Sequence, residues 1–329
     1  MAGLSAALGA PNRDALDACI ADLASAAPGA LAIVLAIDGR AWAKPGTLVH
    51  LARDGSRSGW ISAGCLEGEL QRALQATIES GTVRLLEIDN RDLSDVFGGN
   101  GAGCRGRQIL WLLPLAAMPG LRAVLHAYRH GDAALTLHCA ASGELRLACA
   151  AQGVRAMLPI APRPDDVAAD AAWQITWQPL PRVLVLGASP ESAVLLPLLT
   201  QLGWRIDLHE PRPAWSATHA LAERVLPELP VADDPTPYRA VLVMAHHFER
   251  DRAALAHLAA RSALPQYIGL LGARTRADDL FATLPAKVRS RLAPVLETPA
   301  GVPLPGHGAA AIALSLAARL QSLPSTASE

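Results

Sequence analysis

The second half of the chain repeats one pattern with little interruption. Apolar strand-like runs at 182–186, 205–209, 240–244 and 266–271 alternate with helix-type patterns at 190–202, 214–224, 250–261 and 275–281. Such alternation implies right-handed crossovers and a parallel, doubly wound sheet. An apolar helix pattern at 309–321 follows, fit to pack on that sheet or on a second copy of the chain.

The first half mixes element types. Helix patterns are read at 13–26, 66–80 and 121–129, and strand-like runs at 31–37, 48–51, 83–88 and 108–113. Asp54-Gly55 and Ser142-Gly143 are hairpin signals, the second joining 132–139 to 144–151. Gly81 closes the second helix as a C-cap. Pro159, Pro162, Pro164, Pro179 and Pro181 then punctuate a stretch of weak periodicity. The expected organisation is an α+β domain at 1–155, a proline-rich linker at 156–181 and a Rossmann-like domain at 182–329.

Hydrophobic residues make up 51% of the 329, enough for large cores, while aromatics at 4% leave the packing to Ala, Leu and Val. A net charge of −1 without a basic block argues against nucleic acid. The five cysteines show neither CxxC nor zinc-finger spacing, and reduced thiols fit a cytoplasmic protein. Arg13, Asp14, Asp17 and Asp22 interrupt the N-terminal apolar stretch, so it does not read as a secretory signal. No apolar run is long enough to span a bilayer.

Two glycine-rich bends carry thiols. Gly64-Cys65-Leu66-Glu67-Gly68 precedes the helix pattern at 66–80, and 98–106 contains Gly103-Cys104-Arg105-Gly106. Glycine permits positive φ and close approach of backbone to a ligand. A thiol at a helix N-terminus is biased towards thiolate. Equally, both cysteines are readable as small buried residues beside tight turns.

The run 183–192 occupies the place of a dinucleotide fingerprint, with Glu210 where an acidic residue is expected about 20 residues on. Of its three glycines only Gly187 survives, Ser189 and Ser192 taking the other places. Ser189-Pro190 makes a good helix start without any ligand. Glu191 would repel a phosphate there, so NAD(P) is disfavoured. At the carboxyl ends of the strands lie Glu210 and Arg212, His246 and His247, and Gly272-Ala273-Arg274-Thr275-Arg276. The two arginines suit a phosphate or surface ion pairs, and the histidines a proton shuttle, a metal or plain solvent.

Taken in order, these motifs resemble the xanthine dehydrogenase accessory proteins of the XdhC/CoxI type. The family's Gly-Gly-Cys-x-Glu-Gly is Ala63-Gly64-Cys65-Leu66-Glu67-Gly68 here, and its Gly-Cys-Gly-Gly is Gly103-Cys104-Arg105-Gly106. Its Gly-Ala-Gly-His becomes Gly187-Ala188-Ser189-Pro190. Its Thr-His-then-Asp matches Ala245-His246 and Asp251, and its Ile-Gly-Ser-Arg-x-Lys matches Leu271-Gly272-Ala273-Arg274-Thr275-Arg276. Lys44-Pro45-Gly46 and Pro299-Ala300-Gly301 also match family turns, while the acidic residues usual in the last helix are missing.

The resemblance implies a maturation chaperone, rather than a turnover enzyme, that binds the molybdenum cofactor and assists its sulfuration and insertion into a molybdenum hydroxylase. Cys65 and Cys104 are the expected ligands to the molybdenum centre, with Glu67 orienting the bend or handling a proton. Gly64, Gly68, Gly103, Arg105, Arg107, Gly187, His246, Gly272, Arg274 and Arg276 are the expected cofactor contacts. The implied partners are the apo-hydroxylase and a cysteine desulfurase, and a homodimer is expected. The rival readings are an NAD(P)-dependent oxidoreductase and a non-catalytic scaffold.

Overall fold

A computed structural model describes residues 3–6, 10–91, 106–160, 167–230 and 234–324. The chain divides into two units between Pro179 and Leu180.

The first unit begins with β1 (Gly3–Ala6), α1 (Ala10–Asp22), β2 (Ala30–Gly39), β3 (Leu48–Leu51) and β4 (Arg57–Ser58). It continues with α2 (Glu67–Ser80), β5 (Arg84–Asp89), β6 (Gly106–Pro114) and α3 (Leu121–His130). It ends with β7 (Leu135–Ala140), β8 (Glu144–Cys149), β9 (Gln152–Met157) and β10 (Ala172–Trp177). One sheet is antiparallel, in the order β4-β3-β2-β6-β5. The other, β1-β10-β7-β8-β9, is antiparallel except where β1 runs parallel to β10.

Strand β2 shows why the first sheet sits inside. Ala30, Ala32 and Val34 join the core under α2, with Leu66, Leu70, Leu74 and Ile78 as the helix's apolar stripe. The alternate residues Leu31 and Ile33 face a second apolar interior with Leu121 and Leu125 of α3 and Leu137 of β7. A strand covered on both sides must be apolar at every position, and 30–35 are all buried. Gly81 ends α2 in the left-handed conformation, φ 64°, its N–H returning to Thr77 O at 3.0 Å.

Two expectations for this unit need correction. The stretch read as a linker contains β10, which pairs with β7 over six residues and buries Trp177, whose Nε1 donates to Gly46 O at 2.8 Å. The hairpin at 144–149 also continues into β9. The turn there uses Ala150 at φ 51°, a conformation no glycine or asparagine announces.

The second unit opens with β11 (Arg182–Leu186), α4 (Ser192–Gln201), β12 (Arg205–His209) and β13 (Arg224–Val225). Next come β14 (Ala240–Val243), α5 (Phe248–Ala260), β15 (Tyr267–Leu270) and α6 (Arg274–Ala282). It closes with α7 (Ala286–Leu292), β16 (Leu296–Glu297) and α8 (Ala309–Gln321). All its strand pairs are parallel, in the order β13-β12-β11-β14-β15-β16. In sequence order within the sheet this is 3-2-1-4-5-6, the doubly wound arrangement whose direction reverses between its first and fourth strands. Val183 and Val185 enter one core with α4 and α8, while Leu184 and Leu186 enter the other with α5, α6 and α7.

Helix α8 therefore packs on its own sheet through Ala313, Leu316, Ala317 and Leu320. The helix expected at 214–224 is instead a 3₁₀ stretch, Pro213–Leu221, followed by β13. It buries only Thr218, so no apolar stripe holds an α-helix there. Among the described residues, no helix is long and apolar enough to cross a membrane.

Candidate functional site

In the first unit the β3–β4 hairpin leads into 59–66 and then α2. Ile61 and Ser62 are buried, whereas Ala63, Gly64 and Cys65 are exposed. The anchor is Glu67, the first residue of α2 and buried. Its Oε1 accepts from Ile61 N at 3.1 Å, Ser62 N at 2.9 Å and Ser62 Oγ at 2.8 Å. Arg57 Nη1 lies 2.9 Å from its Oε2, and the same guanidinium stacks 4.5 Å over the Trp60 ring. Ser62 Oγ in turn accepts from Gly64 N at 3.1 Å and Leu66 N at 3.2 Å. These contacts hold the shape of the bend. Sequence reading missed Arg57, because its pairing with Glu67 crosses from β4 and depends on the folded hairpin.

Cys65 lies just outside the N-cap, Leu66, so it does not occupy the helix N-terminus itself. A Cβ built on Gly64 or Gly68 meets nothing within 4 Å, so the backbone on both sides of the thiol is open to approach. Cys19, Cys139 and Cys149 are buried free thiols, and burial pushes all three above the ordinary thiol range. Among the described cysteines, Cys65 is the exposed one. Cys104, Gly103 and Arg105 lie outside the described residues. Arg107, expected to meet a phosphate, instead gives its Nε to Glu87 Oε1. Those two residues stand on adjacent strands, where opposite charges on one face pair.

In the second unit the remaining predicted residues collect at the carboxyl ends of β11, β12, β14 and β15. Gly187 follows β11 at φ 91°. An added Cβ would stand 2.4 Å from Ala245 Cα, so the two strand ends touch backbone to backbone. The buried Glu210 and the half-buried Arg212 tie them further. Glu210 accepts from Ala188 N at 2.6 Å, Arg212 N at 2.7 Å and Arg212 Nε at 2.8 Å. Arg212 also donates to Ala188 O at 2.6 Å and Ala245 O at 3.0 Å. A carboxylate engaged in this way offers a ribose little, which weighs against the NAD(P) reading.

Burial opposes ionisation of Glu210, but hydrogen bonds from the Arg212 side chain and from the Arg212 and Ala188 N–H groups outweigh it. Its carboxyl is held below the ordinary 4.5. A lowered folded pKa gives stability that is complete above the unfolded value and lost as pH falls through the folded one. Wild-type protein should therefore lose part of its melting temperature as pH drops below 4.5. Glu210→Gln should start less stable by about 2 kcal/mol at neutral pH and show a shallower acid decline. Parallel acid slopes in the two melting series would remove Glu210 from the acid response.

His246, three residues beyond β14, has φ 51°, in the left-handed region that non-glycine residues rarely adopt, and is exposed. The two predicted arginines separate. Arg276 donates to Leu271 O at 3.3 Å and ion-pairs with the buried Asp251, so it braces the Gly272 turn against α5. Gly272 has φ 135°, and an added Cβ would sit 3.2 Å from Arg276 Nη1. Arg274 is exposed and lines a different hollow with Glu297, Gly301 and Ser315. The pattern Gly-Ala-Arg-Thr-Arg carries no signal that tells which arginine becomes the brace. Among the described residues, no three His, Cys, Asp or Glu side chains gather to hold a metal ion.

Comparison with known proteins fits both units. Residues 183–320 match the XdhC Rossmann domain and residues 23–89 match the XdhC and CoxI family, together more than half of the chain. A protein of Bacillus subtilis (strain 168) described as a probable subunit of xanthine dehydrogenase is 25% identical over 292 residues, covering 81% of this chain and 85% of that one. A crystal structure described as a xanthine dehydrogenase from Bacillus halodurans superposes with a TM-score of 0.74 at 21% identity, covering 96% of this chain and 98% of that one. That second likeness speaks to the fold. With the Gly-Cys-x-Glu-Gly bend in the first unit and the doubly wound sheet in the second, the chain belongs to the XdhC/CoxI family.

Proposed function

We propose that this chain serves the maturation of a molybdenum hydroxylase of the xanthine dehydrogenase kind, by holding the molybdenum cofactor until it is inserted. The observation that carries the reading is the exposed Cys65 thiol, displayed on a bend that the buried Glu67 shapes. A soft thiolate suits a molybdenum–sulfur centre, and the open backbone at Gly64 and Gly68 leaves room for a bulky cargo. Cys104 is the second thiol assigned to this role, with Arg105 for the anionic tail. The Bacillus subtilis relative's description as a probable xanthine dehydrogenase subunit supports the choice of recipient. In this reading the apo-hydroxylase and a cysteine desulfurase, as sulfur source, are the partners, and the working form is a homodimer.

The test is a titration of purified chain with isolated molybdenum cofactor. Cys65→Ala and Cys104→Ala should each weaken binding by about tenfold or more. Delivery to the apo-hydroxylase, followed as recovered activity, should fall with it. Unchanged affinity in both variants would take the thiols out of the site.

A further inference from the structure

We infer that the crevice at the direction switch of the second unit's sheet binds a nucleoside monophosphate, a ligand with one heteroaromatic ring and one phosphate, rather than a dinucleotide. The inference rests on this unit alone and does not depend on the maturation reading. The crevice, a cavity of about 170 Å³, opens between the ends of β11, β12 and β14 and the first turns of α5. Open α/β sheets take their ligands at this place, and a cavity this size admits a single ring, not a whole ligand, so the rest of the molecule lies at the rim. Its walls are apolar and its floor is small-residued: Leu186, Pro211, Leu229, Ala245, Ala253 and Ala254. Such a slot accepts the face of a planar ring.

The polar lining sets the rest of the ligand. Two carboxylates face the crevice, and each is neutralised by its own arginine, Glu210 by Arg212 and Asp251 by Arg276. Arg250 is left over. It is exposed, lines the crevice, and has no ion-pair partner among the described residues. The site therefore carries one uncompensated positive charge, which calls for an anionic group at its rim. His209 Nδ1 is 3.1 Å from Leu226 O. A carbonyl only accepts, so Nδ1 donates in this contact, which leaves Nε2 for a polar group of the ligand.

The turn after β11 argues against a pyrophosphate. Ser189 N donates to Ser192 Oγ at 3.1 Å, and Ser189 Oγ donates to the buried Glu191 carboxylate. Both groups that a phosphate would approach are already engaged, and Glu191 adds a like charge at the helix start. A dinucleotide must cross this turn, whereas a mononucleotide anchored at Arg250 avoids it.

The experiment is calorimetric titration of the full chain with AMP, GMP, CMP, adenosine and NAD at low and moderate salt. At least one mononucleotide should bind with Kd below about 1 mM, more weakly as salt rises, and at least about tenfold more tightly than NAD. Arg250→Ala should weaken that binding by about tenfold and remove most of its salt dependence, and Arg250→Lys should recover part of both. Arg250 is exposed, so an unchanged melting temperature will show the variants folded. Failure of all three mononucleotides to bind below about 1 mM, NAD binding as tightly as the best of them, or full affinity in Arg250→Ala would each overturn the inference. Adenosine binding as tightly as AMP would remove the phosphate from it.

Discussion

Gly187→Val is expected to cost about 4 kcal/mol or more, enough to leave much of the second unit unfolded at 37 °C (roughly the growth range of a mesophile). Two independent effects add. The residue sits at φ 91°, where a side chain is strained whatever space it finds. The Cβ would then lie 2.4 Å from Ala245 Cα and 2.5 Å from Ala245 N, both backbone atoms of the neighbouring strand end. These cannot rotate aside as a side chain can. Relief requires moving the end of β14, and Arg212 holds that end through its bonds to Ala245 O and Ala188 O. Gly187→Ala carries the same clash with less bulk and should fall between, at about 2–3 kcal/mol. Melting by circular dichroism and soluble yield read both variants. An alanine variant within about 0.5 kcal/mol of wild type would mean the strand ends do not touch as described. The surviving glycine of the fingerprint is thus required by the packing of β11 against β14, whatever ligand the crevice takes.

The second unit was legible because its period is so regular. Strands β11 and β12 and helix α8 are read from pattern at their observed bounds. Buried parallel strands and the helices that cover them leave a local signature that survives without knowledge of partners. What escaped notice depends on long-range pairing. Strand β10 is flanked by prolines and half-exposed on one face, and only its ladder to β7 makes it a strand. Arg224–Val225 is a strand because β12 offers it an edge.

The candidate sites divide along the same line. Cys65 and Glu67 are neighbours in sequence, so their motif could be read directly. The charges were harder, because an arginine's role is set by which carboxylate the fold brings to it. Arg107 meets Glu87 across two strands, and Arg276 meets Asp251 from a separate helix. Arg250, expected only to begin a helix, lines the crevice without an ion-pair partner among the described residues.

Glu67→Ala should lower the melting temperature of the first unit by about 10 °C, from a loss of about 3–4 kcal/mol. The variant strips the acceptor from two buried backbone N–H groups, Ile61 and Ser62, and from the Ser62 hydroxyl. It also leaves the largely buried Arg57 guanidinium without its carboxylate. Each orphaned donor costs more than the net worth of the bond it made, since water cannot reach it. Glu67→Gln keeps an acceptor for the N–H groups while losing the charge, and should cost about half as much. The consequence reaches the thiol through Ser62, whose hydroxyl fixes Gly64 N and Leu66 N on either side of Cys65. Alkylation of Cys65 by iodoacetamide, followed by mass spectrometry well below the melting range, should change rate in Glu67→Ala and stay near wild type in Glu67→Gln. If the alanine variant instead melts with wild type and alkylates at the wild-type rate, the bend is held by something other than this carboxylate.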